Sequence, residues 1–115
     1  MKRLTYTLKT NQYHDDIILD GYQASEHFGV HKNNRGWTLT HLASGQRVAF
    51  GKTRKSCQEL AQALEPYVVE AHAKVEAQGS LEALFDDSEL LKTFQDAFMT
   101  EETRAIIAAH KKANG

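Results

Sequence analysis

The sequence predicts an α+β domain, with a small antiparallel sheet from the N-terminal half packed against helices from the C-terminal half. Three observations predict it. Apolar and polar residues alternate with period two in short runs up to residue 50. Those runs are separated by Gly- and Asn-rich turns. From residue 53 onward the apolar spacing changes to that of helices. Strands followed by helices, not alternating with them, argue against a parallel α/β sheet. The 115 residues form one domain, strand-rich over 1–52 and helical over 53–115.

Leu4, Tyr6 and Leu8 alternate with Thr5, Thr7 and Lys9 as in a half-buried strand. Residues 11–16 are polar and turn-forming, and Ile17-Ile18-Leu19 is a short apolar run that ends at the turn signal Asp20-Gly21. Phe28 and Val30 alternate with His27, Gly29 and His31, and Asn33-Asn34-Arg35-Gly36 leads into the next strand. Trp37 and Leu39, the turn Ala43-Ser44-Gly45, then Val48 and Phe50 complete a hairpin. Alternation places Phe28, Val30, Trp37, Leu39, Val48 and Phe50 on the face that a helix covers.

Thr53 is a suitable N-cap, because its hydroxyl can accept from a free first-turn N–H. Cys57, Leu60, Ala61 and Leu64 then mark one helical stripe. Pro66 predicts a new or sharply kinked helix, carrying Val68, Ala71 and Val75 and stopping at Gly79. Ser80 caps a short turn, and Asp87 or Ser88 caps a helix with the face Leu90, Leu91, Phe94 and Phe98. Thr100 with Glu101 and Glu102 opens a last helix over 101–113, with Ile106, Ile107 and Ala109 available for packing.

The net charge of −1 conceals a division. Residues 21–58 hold six basic side chains against the single acid Glu26, whereas residues 59–115 hold five basic and eleven acidic ones. Such a split predicts a local electropositive surface, or two halves that attract each other. The face opposite the helix would display His27, His31, Thr38, Thr40 and Arg47, flanked by Lys32, Arg35, Lys52, Arg54 and Lys55. These ten residues are the candidate nucleic-acid contacts: cations and hydroxyls for phosphates, with Thr38, Thr40, His27, His31 and Arg47 for any base reading. Below about pH 6.5 the histidines would make this face more cationic.

Gly36-Trp37, the Gly45 turn, Val48-x-Phe50 and Lys52-Thr53-Arg54-Lys55 lead into an Ala/Leu helix. Over residues 27–64 this pattern resembles the three-stranded-sheet-plus-helix DNA-binding domain at the N-terminus of many phage integrases. The resemblance implies a strand face docked on DNA, with Thr38, Thr40, Arg47 and Lys52 at the contact. It also fits a small protein of a phage, plasmid or other mobile element. The chain differs in its extra N-terminal strands and in its acidic helical tail.

Other chemistry finds little support. His27 and His31 on one strand lie about 13 Å apart, too far to share an ion, so neither a metal nor another cofactor is expected. Cys57 falls on the buried helical stripe and reads as a structural thiol. Gly51-Lys52-Thr53 lacks the upstream glycine of a phosphate-binding loop. The chain is therefore expected to be non-enzymatic. One cysteine and the lack of an apolar leader or spanning run predict a cytoplasmic protein with no membrane partner. The alternative function is a protein-binding inhibitor or adaptor, for example an anti-defence protein, whose acids, including Asp86, Asp87 and Glu89, engage a basic protein partner. Apolar residues exposed on the last two helices would favour a homodimer.

Overall fold

The computed structural model describes residues 1–9 and 16–114. The turn expected at 11–16 therefore lies outside the described residues, apart from Asp16. Five strands form one antiparallel meander in chain order: β1 Arg3–Leu8, β2 Ile17–Ser25, β3 Phe28–Asn33, β4 Gly36–His41 and β5 Gln46–Gly51. The helices α1 Arg54–Glu76, α2 Ser88–Phe98 and α3 Glu101–Asn114 follow, with a 3₁₀ turn Leu81–Phe85 between α1 and α2. This is the α+β architecture that the sequence predicts. Among the described residues, no helix is long and apolar enough to cross a membrane.

The N-caps predicted at Thr53, Ser80 and Asp87 are present. Thr53 accepts from the Ser56 N–H, Ser80 from the Glu82 N–H, and Asp87 from the N–H groups of Glu89 and Leu90. The core joins Phe28, Val30 and Leu39 of the sheet to Leu60, Leu64, Val68 and Val75 of α1, and to Phe94 and Phe98 of α2.

Three local expectations need correction. Pro66 neither starts nor breaks a helix, because α1 runs through it for 23 residues. An interior proline costs about 3 kcal/mol. The buried stripe of Cys57, Leu60, Ala61, Leu64, Val68, Ala71 and Val75 stays in phase across it. Four large apolar side chains in that stripe, at roughly 1.5–3 kcal/mol each, outweigh the proline. The helix then ends at Glu76, a turn earlier than Gly79.

Asp20-Gly21 is likewise no turn, since β2 continues to Ser25. Gly21 sits inside the strand because the Tyr6 ring lies over it: a Cβ there would stand 3.0 Å from Tyr6 Cε1 and 2.5 Å from the Val30 carbonyl oxygen.

The third correction concerns the hairpin. Leu39 pairs with Ala49 but Thr40 pairs with Arg47, so Val48 is an extra residue in β5. Such a bulge reverses the faces beyond it. Ala49 and Gly51 turn inward, opposite Leu39 and Trp37, and Phe50 turns outward, opposite Thr38. Phe50 is 59% exposed instead of covered by the helix.

The sheet also curls. The Lys9 N–H, just after β1, donates to the Gly45 carbonyl in the β4–β5 turn at 2.8 Å, bringing the first strand to the last hairpin. Tyr6 fills the resulting hollow, against Gly21 and Gly29. On the far side, α3 covers the edge of β5. His110 Nε2 lies 2.7 Å from the Phe50 carbonyl oxygen, and Asn114 Oδ1 accepts from the Lys52 N–H at 2.9 Å.

Candidate nucleic-acid interface

The curl and the bulge redistribute the ten residues expected on the open face. Thr38 and Thr40 are buried, not presented for base reading. Thr38 accepts from Asn33 Nδ2 at 2.5 Å, and Thr40 lies beside the Tyr6 phenol. Thr40 Oγ1 is the one buried side-chain polar atom without a hydrogen-bond partner among the described residues. His31 is half-buried, with Nδ1 3.1 Å from the Tyr6 hydroxyl. Burial, and then the Arg47 charge, hold its pKa below the ordinary histidine value. Its contribution to a cationic face therefore arises at lower pH than the sequence alone implies. Burial also raises the Tyr6 phenol to about 12, so it stays protonated.

His27 leaves this face altogether. It stands in the β2–β3 turn against α1, with Nδ1 2.5 Å from Glu65 Oε1. Arg54 is half-buried on the helix side of the sheet, its guanidinium over the rings of Tyr22 at 4.7 Å and Trp37 at 5.7 Å. Lys32 is exposed but pairs with Trp37, which puts it on the helix-covered face. Lys55 is exposed in the first turn of α1.

Arg35, Arg47 and Lys52 remain exposed around Phe50. The Arg47 guanidinium lies 5.8 Å from the Phe50 ring centroid, a cation–π geometry made by the bulge that puts both residues on the outer face. On the other side of Phe50 a cleft of about 280 Å³ opens between the β3–β4 turn and the β5–α1 junction. Its walls include Arg35, Trp37, Phe50, Lys52 and Asn114, and among the described residues no acidic side chain lines it. Gly36, at φ 145°, shapes the turn that carries Arg35. Gly51 lets α1 approach β5, because a Cβ there would lie 2.6 Å from the Cys57 sulfur. Cys57 is buried as expected, and burial pushes its thiol up to about 11.

Phe50 is the exposed aromatic that sequence reasoning misses. Strict alternation assigns it to the core, and no glycine or proline in Gln46–Phe50 announces the bulge. The acids of the alternative reading are already engaged in part. Asp86 lies 3.4 Å from Lys9 Nζ, Asp87 caps α2, and Glu89 is exposed.

A histidine pair also escapes sequence reasoning. His41 on β4 and His72 on α1 meet at 2.7 Å between their Nε2 atoms, and His41 Nδ1 lies 2.7 Å from Ser44 Oγ. Ser44 Oγ accepts the Gln46 N–H, so its own proton is free to go to His41 Nδ1. Burial first, then the neighbouring imidazoles, lower His41 to about 3. Burial also lowers His72, to about 4. Both are neutral at pH 7. No family model matches this chain, and neither a curated protein nor a solved structure is similar enough to count as a match.

Proposed function

We propose that this chain binds nucleic acid and prefers single strands, using Phe50 as a stacking platform between Arg47 on one side and Arg35 and Lys52 on the other. The observation that carries this reading is the outward Phe50 ring with cations on both flanks and, among the described residues, no acidic side chain in the adjoining cleft. An aromatic face accepts any base, while flanking cations follow the phosphates. The hollow behind the curled sheet is filled by Tyr6, which disfavours docking of the whole strand face in a duplex groove. Of the contacts that the resemblance to integrase strand-and-helix domains implies, Arg47 and Lys52 are exposed whereas Thr38 and Thr40 are buried, so only its cationic part supports this reading. A cytoplasmic location fits a buried, unpaired thiol.

Fluorescence anisotropy with labelled single-stranded DNA, single-stranded RNA and duplex DNA, across a salt series, tests the proposal. With about three phosphates neutralised on a single strand, log K falls against log salt with a slope near −2. Phe50→Ala removes a stacking contact worth roughly 1–3 kcal/mol. That corresponds to about 5- to 150-fold in Kd. Arg47→Ala reduces the salt slope. Lack of binding at low salt, or a Phe50→Ala protein that binds as the parent does, rejects the assignment.

A further inference from the structure

A second cleft, of about 440 Å³, lies away from Phe50, where the β2–β3 turn meets α1. Glu26, His27, His72 and Glu76 line it, and among the described residues no Lys or Arg does. We propose that Glu26 and His27 of this cleft, together with the neighbouring Glu65, form a site for a divalent transition metal, with zinc the ion that suits the donors. One ligand atom from each residue lies within 4.8 Å of the other two. The set joins two turn residues to a helix residue 38 and 39 positions away, so neither histidine spacing nor a linear motif announces it.

The Glu65 carboxylate is already oriented for this role. Its Oε2 accepts from the Ser25 hydroxyl and from the His27 backbone N–H, which leaves Oε1 in a hydrogen bond with His27 Nδ1, so an ion entering between them releases the proton the two share to solvent. Outer hydrogen bonds that fix a ligand's orientation are characteristic of metal sites. Behind His27, the His72 ring packs edge-on at 4.7 Å between centroids and limits how the imidazole can turn. Glu26 is exposed, and its side chain makes no hydrogen bond or ion pair among the described residues, so it is free to swing onto an ion. Glu76 adds a further carboxylate to the same cleft. Imidazole together with carboxylates suits zinc and its divalent neighbours. Three protein ligands at an open cleft leave a coordination position for water.

The test uses the full chain, stripped with a chelator, dialysed, and titrated with zinc chloride by calorimetry while the melting temperature is followed. The expected result is one zinc per chain and a rise in melting temperature. Glu26→Gln should weaken binding at least tenfold and leave the metal-free melting temperature unchanged. His27→Gln should abolish binding, and if that variant does not fold, Glu26→Gln alone decides. Absence of zinc uptake overturns the proposal, as does uptake that Glu26→Gln leaves unaltered, which places the ion elsewhere on the chain. Phe50→Ala should bind zinc like the parent, so this site and the nucleic-acid surface stand or fall separately.

Discussion

Gly21 and Gly29 lie beneath the same Tyr6 ring, yet their missing methyl groups matter differently. At Gly21 a Cβ would meet the Val30 carbonyl oxygen at 2.5 Å, a backbone atom fixed by the sheet ladder. At Gly29 it would meet side-chain atoms, Tyr6 Cε1 at 2.8 Å and Leu42 Cδ2 at 2.9 Å. Side chains give way more cheaply than backbone, although overpacking a filled site still costs roughly 1–3 kcal/mol. Gly21→Ala is therefore expected at or above the top of that range and Gly29→Ala nearer the bottom, as measured by urea denaturation. Equal losses would show that the Tyr6 ring, not the β2–β3 ladder, sets the constraint. The Tyr6 contact also explains why Asp20-Gly21 does not turn. Asp20-Gly21 has the composition of a turn, but the glycine serves a close approach from residue 6, which local sequence does not encode.

Among the elements, α1 is the most legible in sequence up to Leu64 and departs from local signals at Pro66. Its cap at Thr53 and its stripe up to Leu64 follow directly from residue types. Beyond Pro66 the stripe resumes four residues after Leu64, at Val68, in helical phase. That unbroken phase is a stronger signal than the proline. The β4–α1 junction was not legible, because the His41–His72 contact joins positions 31 apart. His41 is 1% exposed, stacked on Phe94 at 4.2 Å, edge-on to Phe28 and bonded to Ser44 and His72, with His27 beyond. None of these neighbours offers a negative charge to a protonated ring. The folded-state pKa of about 3 lies below the ordinary 6.5, so on acidification the unfolded chain takes up this proton first. The stability contributed by neutral His41 is thus complete above pH 6.5 and is lost as pH falls from 6.5 toward 3. At about 1.4 kcal/mol per unit, the loss is on the order of a few kcal/mol. Urea denaturation at a series of pH values should show it, and His41→Phe, which cannot titrate, should reduce the slope between pH 6.5 and 4, the remainder belonging to groups such as His72, whose pKa is also lowered. An unchanged slope in that variant would assign the acid sensitivity to other groups.

The whole molecule is organised by how it disposes of its two sheet edges. Both devices lie beyond what alternation and capping signals can report. On β5, side chains of α3 occupy backbone groups, His110 at the Phe50 carbonyl and Asn114 at the Lys52 N–H. These guard an edge that would otherwise invite another strand. On β1, the curl ends with the Lys9 N–H on the Gly45 carbonyl. Lys9 Nζ then sits 4.4 Å above the Phe85 ring and 3.4 Å from Asp86, so one residue fastens β1 both to the hairpin turn and to the 3₁₀ segment. Gly45 is the point on which this closure depends. Its φ of 71° is left-handed, and a Cβ would stand 2.4 Å from Phe85 Cε2 and 3.1 Å from the Lys9 nitrogen. Gly45→Ala therefore combines backbone strain with a collision on both partners of the closure. The expected loss is about 2 kcal/mol or more, with the Lys9 amide exchanging its hydrogen faster than in the parent. Exchange at Val30 and Leu39, in the central strands, should change only as far as global stability does. A Gly45→Ala protein that keeps the parent's melting temperature and a protected Lys9 amide would mean that β1 is held by its pairing with β2 alone.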